Sequence, residues 1–325
     1  MAGSARAFWT TAPGVGEIRS VPVPEPGPAD VLVRTLRSGI SRGTESLVFR
    51  GEVPASEYLT MRAPFQEGDF PGPVKYGYLN VGVVIGGVPE LLGREVFCLY
   101  PHQTQYVVPA RSVVALPEGL PTGRAVLAGT VETAVNALWD SPPLIGDRIS
   151  VVGAGMVGCC LARLLSRVAG VRVTLIDVDE TRAKTAARLG VKFALPGEAE
   201  GEQDAVFHAS ASASGLQLSL ALLAPEAEVI DLSWYGDREV TLSLGGAFHS
   251  RRLAVRASQV GSVAPARRST RALRDRLTLA LDLLVDDAFD ALLDGSSPFA
   301  ELPDFLPRVA ASSGLCHTVT YEKES

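Results

Sequence analysis

The chain has 325 residues, 46% of them hydrophobic, with a mean hydropathy of +0.19, enough apolar material for two domains with cores of their own. Thirty basic residues against 36 acidic ones leave a net charge of −6, which argues against nucleic acid as a partner, because neutralising phosphates needs a basic face. Four cysteines are too few for a disulfide framework and read as reduced thiols. Residues 1–13 lack the apolar core of a signal peptide, and every long apolar stretch is broken by charge or glycine before it could span a membrane. A cytoplasmic protein is expected.

The first 125 residues are rich in Pro, Gly and β-branched side chains. Runs at 31–36, 81–85, 95–100 and 105–109 read as short strands between turn signals, a β-rich, barrel-like domain. From Arg124 the pattern changes. Residues 125–139 have helical periodicity, ended by Pro142, Pro143 and Gly146. Strands at 148–152, 171–176, 205–208 and 228–232 then alternate with helices at 156–169, 181–189 and 216–223. Repeated β-α-β units imply a doubly wound parallel sheet with helices on both faces. An amphipathic helix at 270–284, a segment at 299–307 and a strand at 318–321 close the chain. The expected division is 1–125 plus 265–325 for the β-rich domain and 126–264 for the α/β domain.

The strand 148–152 runs into Gly153-Ala154-Gly155-Met156-Val157-Gly158, a Gly-x-Gly-x-x-Gly turn that opens a helix. Gly153 permits the tight turn, Gly155 lets a pyrophosphate approach the backbone, and Gly158 lets the helix pack closely on the strand. The diphosphate then meets the free N–H groups of the first helical residues, Met156 and Val157 among them. The next strand ends in Asp177, 24 residues after Gly153, where a carboxylate grips the ribose diol. Such an acid repels a 2′-phosphate, so NAD is the expected cofactor. Arg182 is the residue that would accommodate that phosphate, and Asp179 and Glu180 beside it argue for NAD. Ser210, after the strand ending in His208, and Trp234, after the following strand, lie where cofactor contacts are expected. Trp234 is equally readable as core.

The order of these pieces resembles the medium-chain dehydrogenase/reductase superfamily, the alcohol dehydrogenase-like enzymes. Ser38-Gly39-Ile40-Ser41-Arg42-Gly43-Thr44-Glu45 sits where that family has its first metal-ligand turn. Tyr76-Gly77-Tyr78-Leu79-Asn80-Val81-Gly82 resembles the family's Gly-His-Glu segment. Short motifs also resemble 3-hydroxyethyl bacteriochlorophyllide dehydrogenase-type proteins. The resemblance implies a Rossmann domain inserted after a GroES-like barrel domain, a homodimer, and hydride transfer between a nicotinamide and an alcohol. The departures matter more than the matches. Ser41 or Arg42 stands at the family's cysteine ligand, Tyr78-Leu79 replaces its His-Glu pair, and Glu132 alone falls near a third ligand. Zinc needs three protein ligands and an open position, so a zinc-free enzyme is expected. A residual site of Cys98, His102 and Glu132 is the alternative.

Without a metal to polarise oxygen, a positioned side chain has to move the hydroxyl proton. The alignment makes Tyr78 the candidate acid/base, with Lys75 expected to lower its pKa; the competing reading is a packed tyrosine and an exposed lysine. Glu132 is a second candidate base and Ser41 a further catalytic candidate. Arg42, Glu45 and His102 are candidate substrate contacts, and Asn136 a nicotinamide contact. The combined expectation is an NAD(H)-dependent, zinc-independent alcohol dehydrogenase or ketoreductase acting on a secondary alcohol, with the side chains of Tyr58, Met61 and Phe65 hinting at a cyclic one. The alternatives are a reductase of an activated double bond and a non-catalytic NAD-binding protein. A hydrolase is not expected, since no nucleophile elbow occurs; the nearest run, Ala211 to Gly215, has alanine at both the first glycine and the nucleophile.

Overall fold

The computed structural model describes residues 3–322 and divides the chain into two compact units. Unit 1 holds the residues up to Gly129, Leu281–Val285, and Leu293 onward; unit 2 is Thr130–Ala280 with Asp286–Leu292.

In unit 1, β1 (Gly3–Ala12) and β2 (Val15–Val23) form a hairpin that turns at Gly14, whose φ of +76° suits glycine. They are followed by β3 (Asp30–Gly39), α1 (Arg42–Arg50), β4 (Glu67–Gly68), β5 (Val74–Lys75), β6 (Asn80–Gly87), β7 (Glu95–Cys98), β8 (Gln105–Pro109) and β9 (Val113–Ala115). One sheet has the order β2-β1-β5-β4. Alternation in β3 sends Val31, Val33 and Thr35 inward. There the two valines join Val84, Val96, Tyr106 and Val108 in one apolar cluster. The strands expected at 31–36 and 81–85 are present and longer, the one at 105–109 has the expected bounds, and the one at 95–100 ends earlier, at Cys98. The first hairpin and α1 were not expected: neither carries the strong periodicity of the later elements.

The chain passes through α2 (Thr122–Ala125) into α3 (Ala128–Asp140). Unit 2 then alternates β10 (Arg148–Val152), α4 (Met156–Leu165), β11 (Arg172–Ile176), α5 (Arg182–Arg188), β12 (Lys192–Ala194), β13 (Gln203–His208), α6 (Ala213–Leu222), β14 (Leu223–Asp231), α7 (Ala247–Ser250) and β15 (Ala254–Ala257). All six strands pair in parallel in the order β12-β11-β10-β13-β14-β15. The order reverses at β10, so the crevice between the carboxyl ends of β10 and β13 is the ligand position of such a sheet.

The last part comprises α8 (Leu273–Leu283), β16 (Leu293–Pro298), α9 (Leu302–Ala311) and β17 (Cys316–Thr320). β17 joins β3 and completes the second sheet of unit 1, β16-β17-β3-β6-β7-β9, with β8 on the side of β3. Phe299, Leu302, Phe305 and Leu306 pack with Phe8, Ile40 and Phe49. Unit 2 reaches beyond residue 264 because Arg276, 1% exposed on α8, is anchored to Glu132 and Asn136 on α3. Among the described residues no helix is long and apolar enough to cross a membrane. The fold is mixed α/β: a doubly wound Rossmann sheet inserted into a β-rich, GroES-like domain.

Candidate active site

In unit 1, the turn between β3 and α1 carries the first polar cluster. Ser41 is the N-cap of α1, and its N–H is accepted by Glu45 Oε1 one turn later, at 2.7 Å. Glu45 Oε2 lies 2.8 Å from His102 Nε2. Because a carboxylate only accepts, Nε2 donates, and Nδ1 is left to the Ser38 hydroxyl at 2.7 Å. Ser38 Oγ also meets Tyr321 Oη at 2.8 Å. Beside this chain Tyr78 Oη donates to Ser41 Oγ at 2.6 Å. Positions 37 residues apart, those at which the family resemblance places two metal ligands, therefore touch. Gly77, at φ +123°, makes the approach: a Cβ there would stand 3.1 Å from the His102 ring.

The half-buried Tyr78 hydroxyl is pushed up to about 12 by burial, with the Glu45 carboxylate adding to the rise and hydrogen bonds to Ser41 and Thr44 opposing it. This corrects the expected lowering by Lys75. That ammonium is buried and turned elsewhere, onto Glu67 and, at 2.7 Å, Gln103 Oε1, with the Tyr100 ring 5.4 Å away. Arg42 is not a substrate anchor either. Its guanidinium donates to the carbonyls of Val309, Ser312 and Leu315, at 2.6, 2.6 and 3.2 Å, and ties down the end of α9. Glu45 and His102, expected to face substrate, are 5% and 2% exposed and hold each other. Cys98 is a core thiol pushed up to about 12 by burial. Among the described residues no three His, Cys, Asp or Glu side chains gather as a metal site would require.

In unit 2, the glycine turn follows β10. Gly153 has φ +107°, and a Cβ on it would strike Ser210 N at 2.7 Å; a Cβ on Gly158 would lie 1.9 Å from the Gly153 carbonyl. A Cβ on Gly155 would meet nothing, so open space lies against the backbone where α4 starts. Gly155 caps α4 without a side-chain acceptor, leaving the first N–H groups, those of Met156, Val157 and Gly158, without intrahelical partners. Open space plus unpaired donors fit a diphosphate. Asp177 ends β11 with its carboxylate fixed by the N–H groups of Ala154, at 2.6 Å, and Asp179, at 2.9 Å. Two lone-pair positions remain for ribose hydroxyls. Arg182 pairs with Asp179 at 3.5 Å.

Two other candidates in unit 2 are corrected. Glu132 is buried and accepts from Arg276 Nε at 3.1 Å; burial pushes its carboxyl up while Arg276 opposes the rise. Asn136 is occupied by the backbone of the 259–264 loop: Oδ1 accepts from Ala264 N at 3.0 Å and from Arg276, and Nδ2 donates to Asp140 and to Gln259 O. Both residues hold the loop instead of offering free groups. Trp234 sits half-buried after β14. Beside it stands Tyr235, also expected from the sequence to cover the nicotinamide or shape the substrate pocket; the sequence did not show that its hydroxyl donates to Asp231 Oδ2 at 2.9 Å, nor that His208 Nδ1 pairs with Asp231 Oδ1 at 2.9 Å. A usable signal existed: adjacent parallel strands end on His208 and Asp231, which the register sets side by side.

The family model for ketopantoate reductase PanE/ApbA matches residues 149–231, which form β10 to β14. The chain is 26% identical over 225 residues to an L-threonine 3-dehydrogenase of Deinococcus radiodurans, a match covering 58% of this chain and 61% of that protein. It is 30% identical over 176 residues to the 2-desacetyl-2-hydroxyethyl bacteriochlorophyllide A dehydrogenase of Cereibacter sphaeroides, covering 47% and 50%. The chain thus spans less than two thirds of these curated relatives. The structure of L-idonate 5-dehydrogenase from Escherichia coli has the same fold, with a TM-score of 0.80 over 98% of this chain and 99% of that one, at 14% identity. Fold, glycine turn and sequence likeness agree in making the chain similar to the alcohol dehydrogenase-like enzymes.

Proposed function

We propose that the protein is an NAD(H)-dependent, zinc-independent ketoreductase or alcohol dehydrogenase that interconverts a secondary alcohol and its ketone. The hydrogen bond from Tyr78 to Ser41 carries this reading, because two hydroxyls stand where the resemblance places a thiolate and an imidazole. Asp177 supports NAD over NADP. Its fixed carboxylate opposes a 2′-phosphate, and Arg182, the candidate partner of such a phosphate, is paired with Asp179.

A bound nicotinamide supplies the hydride. Tyr78 Oη–H supplies the proton: it donates to the ketone oxygen and delivers its proton as negative charge develops there. A phenol pushed up to about 12 stays protonated at neutral pH and is loaded for this step. Ser41 Oγ holds the hydroxyl in place beforehand. Oxidation would begin from a phenolate, which burial and the Glu45 carboxylate disfavour, so the resting site is set for reduction. Rings run in tilted and T-shaped contacts from Tyr58 through Phe70 and Tyr76 to Tyr78, with centroids 5.8, 5.7 and 6.0 Å apart. Such an apolar wall suits a cyclic ketone. A homodimer through β15 fits the open outer edge of that strand.

The test is elemental analysis of the purified protein with NADH titration and a screen of cyclic and acyclic ketones. The expected result is saturable NADH binding, ketone-dependent NADH oxidation, and no stoichiometric zinc. One tightly held zinc per chain would overturn the tyrosine mechanism. Binding without turnover of any ketone would point to a non-catalytic NAD-binding protein.

A further inference from the structure

Unit 2 contains a second set of reactive groups, one of which, Ser210, stands beside the glycine turn where a cofactor contact is expected. The set is assembled at the carboxyl ends of β13 and β14. His208 Nδ1 faces Asp231 Oδ1 at 2.9 Å, and His208 Nε2 faces Ser210 Oγ at 2.6 Å. The proton positions follow from the partners. An ionised Asp231 only accepts, so Nδ1 carries the ring proton and Nε2 takes its hydrogen bond from the serine hydroxyl. Asp231 is held as the carboxylate: burial works against ionisation, and bonds from His208, the Ser233 N–H and Tyr235 outweigh it.

The surroundings are shaped for the same serine. Ser210 Oγ meets Ser212 Oγ at 2.9 Å, and Ser212 accepts from the Gly215 N–H at 3.0 Å as the N-cap of α6. Gly215 leaves the room: a Cβ there would lie 2.1 Å from Ser210 Oγ and 2.9 Å from His208 Nε2. The serine oxygen therefore lies directly over the first turn of α6. Within that turn Ser212 accepts from the N–H groups of Gly215 and Leu216. Those of Ala213 and Ser214 have no intrahelical acceptor. Ala211, immediately after the serine, is held at φ +50° while its N–H donates to Ser233 Oγ at 3.1 Å, a left-handed conformation that is uncommon for alanine. His208 is fully buried and Ser210 half-buried, so the base is the more shielded of the two.

We propose that Ser210, His208 and Asp231 form a serine acyl-transfer site that cleaves small carboxylic esters, independently of the dehydrogenase reading. Ser210 Oγ attacks the ester carbonyl carbon while His208 Nε2 takes the serine proton. The N–H groups of Ala213 and Ser214 are the donors available to the oxyanion. The bond to the alcohol breaks, His208 returns the proton to the departing oxygen, and the acyl group stays on Ser210. Water then attacks the acyl-serine with His208 as base, releasing the carboxylic acid and restoring the hydroxyl. Asp231 is a positioning residue that keeps the proton on Nδ1. The site was hidden from motif reading because its nucleophile lies two residues after a strand end, outside any elbow pattern.

The experiment uses the full-length protein free of dinucleotide, since Ser210 N lies against the glycine turn. It is incubated with p-nitrophenyl acetate and, separately, with a fluorophosphonate probe followed by peptide mass spectrometry. The expected results are ester hydrolysis and one probe per chain on Ser210. Ser210→Ala should remove the label and lower ester turnover by roughly a thousandfold or more. Asp231→Asn should slow both reactions by a similar factor with an unchanged KM for the ester, a split that loose packing would not produce. No labelling of the wild-type protein, or labelling on another residue, would overturn the proposal. So would hydrolysis that survives Ser210→Ala.

Discussion

The two candidate sites are built in opposite ways. The dinucleotide turn of unit 2 is local: Gly153, Gly155 and Gly158 lie within six residues, and Asp177 is reached by a single β-α-β unit. The Tyr78 cluster of unit 1 is non-local. Ser41 meets Tyr78 across 37 residues, Glu45 meets His102 across 57, and Ser38 meets Tyr321 across 283. A local turn keeps its function wherever its strand and helix form, whereas a site gathered from four distant segments depends on strand register and core packing.

The hardest way to break the comparison is through the internal ion pair of unit 2. Glu132→Ala would strand the Arg276 guanidinium, 1% exposed, and should destabilise unit 2 by about 3–5 kcal/mol, read by chemical denaturation. Were Glu132 a catalytic base, turnover would fall with stability unchanged. Tyr78→Phe removes the proton donor but keeps the ring, and should lower ketone turnover by roughly a hundredfold with NADH affinity retained. Equal turnover would end the tyrosine mechanism. Gly155→Ala probes the local site. Its Cβ would meet no protein atom, so the melting temperature should hardly move. NADH binding, followed by fluorescence titration, should weaken by about tenfold, roughly 1.4 kcal/mol.

The smallest effect concerns pH. Burial raises Tyr76, Tyr78, Tyr100, Tyr106 and Tyr321 in unit 1, and Tyr235 in unit 2. A phenol whose folded pKa lies above its ordinary value of 10 holds its proton more tightly when folded. Its contribution is therefore complete below pH 10 and is lost as pH rises through the folded values. Unit 1 should lose stability first on the alkaline side, seen as tyrosinate absorbance appearing with unfolding. Asp231, held low, works in the other direction: its contribution is complete above its ordinary value of 3.8 and is lost as pH falls through its folded value.

By itself the sequence determined the α/β alternation from Arg148 onward and the glycine turn with Asp177, because both are written in short-range terms. Those terms are the period of apolar residues, glycine where the backbone needs room, and an acid at a strand end. The sequence also placed Tyr78 and Ser41 at equivalent family positions, without showing that they touch. Tertiary structure decided the partners of the long polar side chains. Lys75 turns to Glu67 and Gln103, Arg42 to the end of α9, and Glu132 and Asn136 to Arg276 on a helix about 140 residues away. It also set His208, Asp231 and Ser210 within hydrogen-bonding distance. A flexible charged side chain buried on folding takes the complementary group that packing brings to it. That choice depends on which strands and helices become neighbours, and spacing along the chain does not specify it.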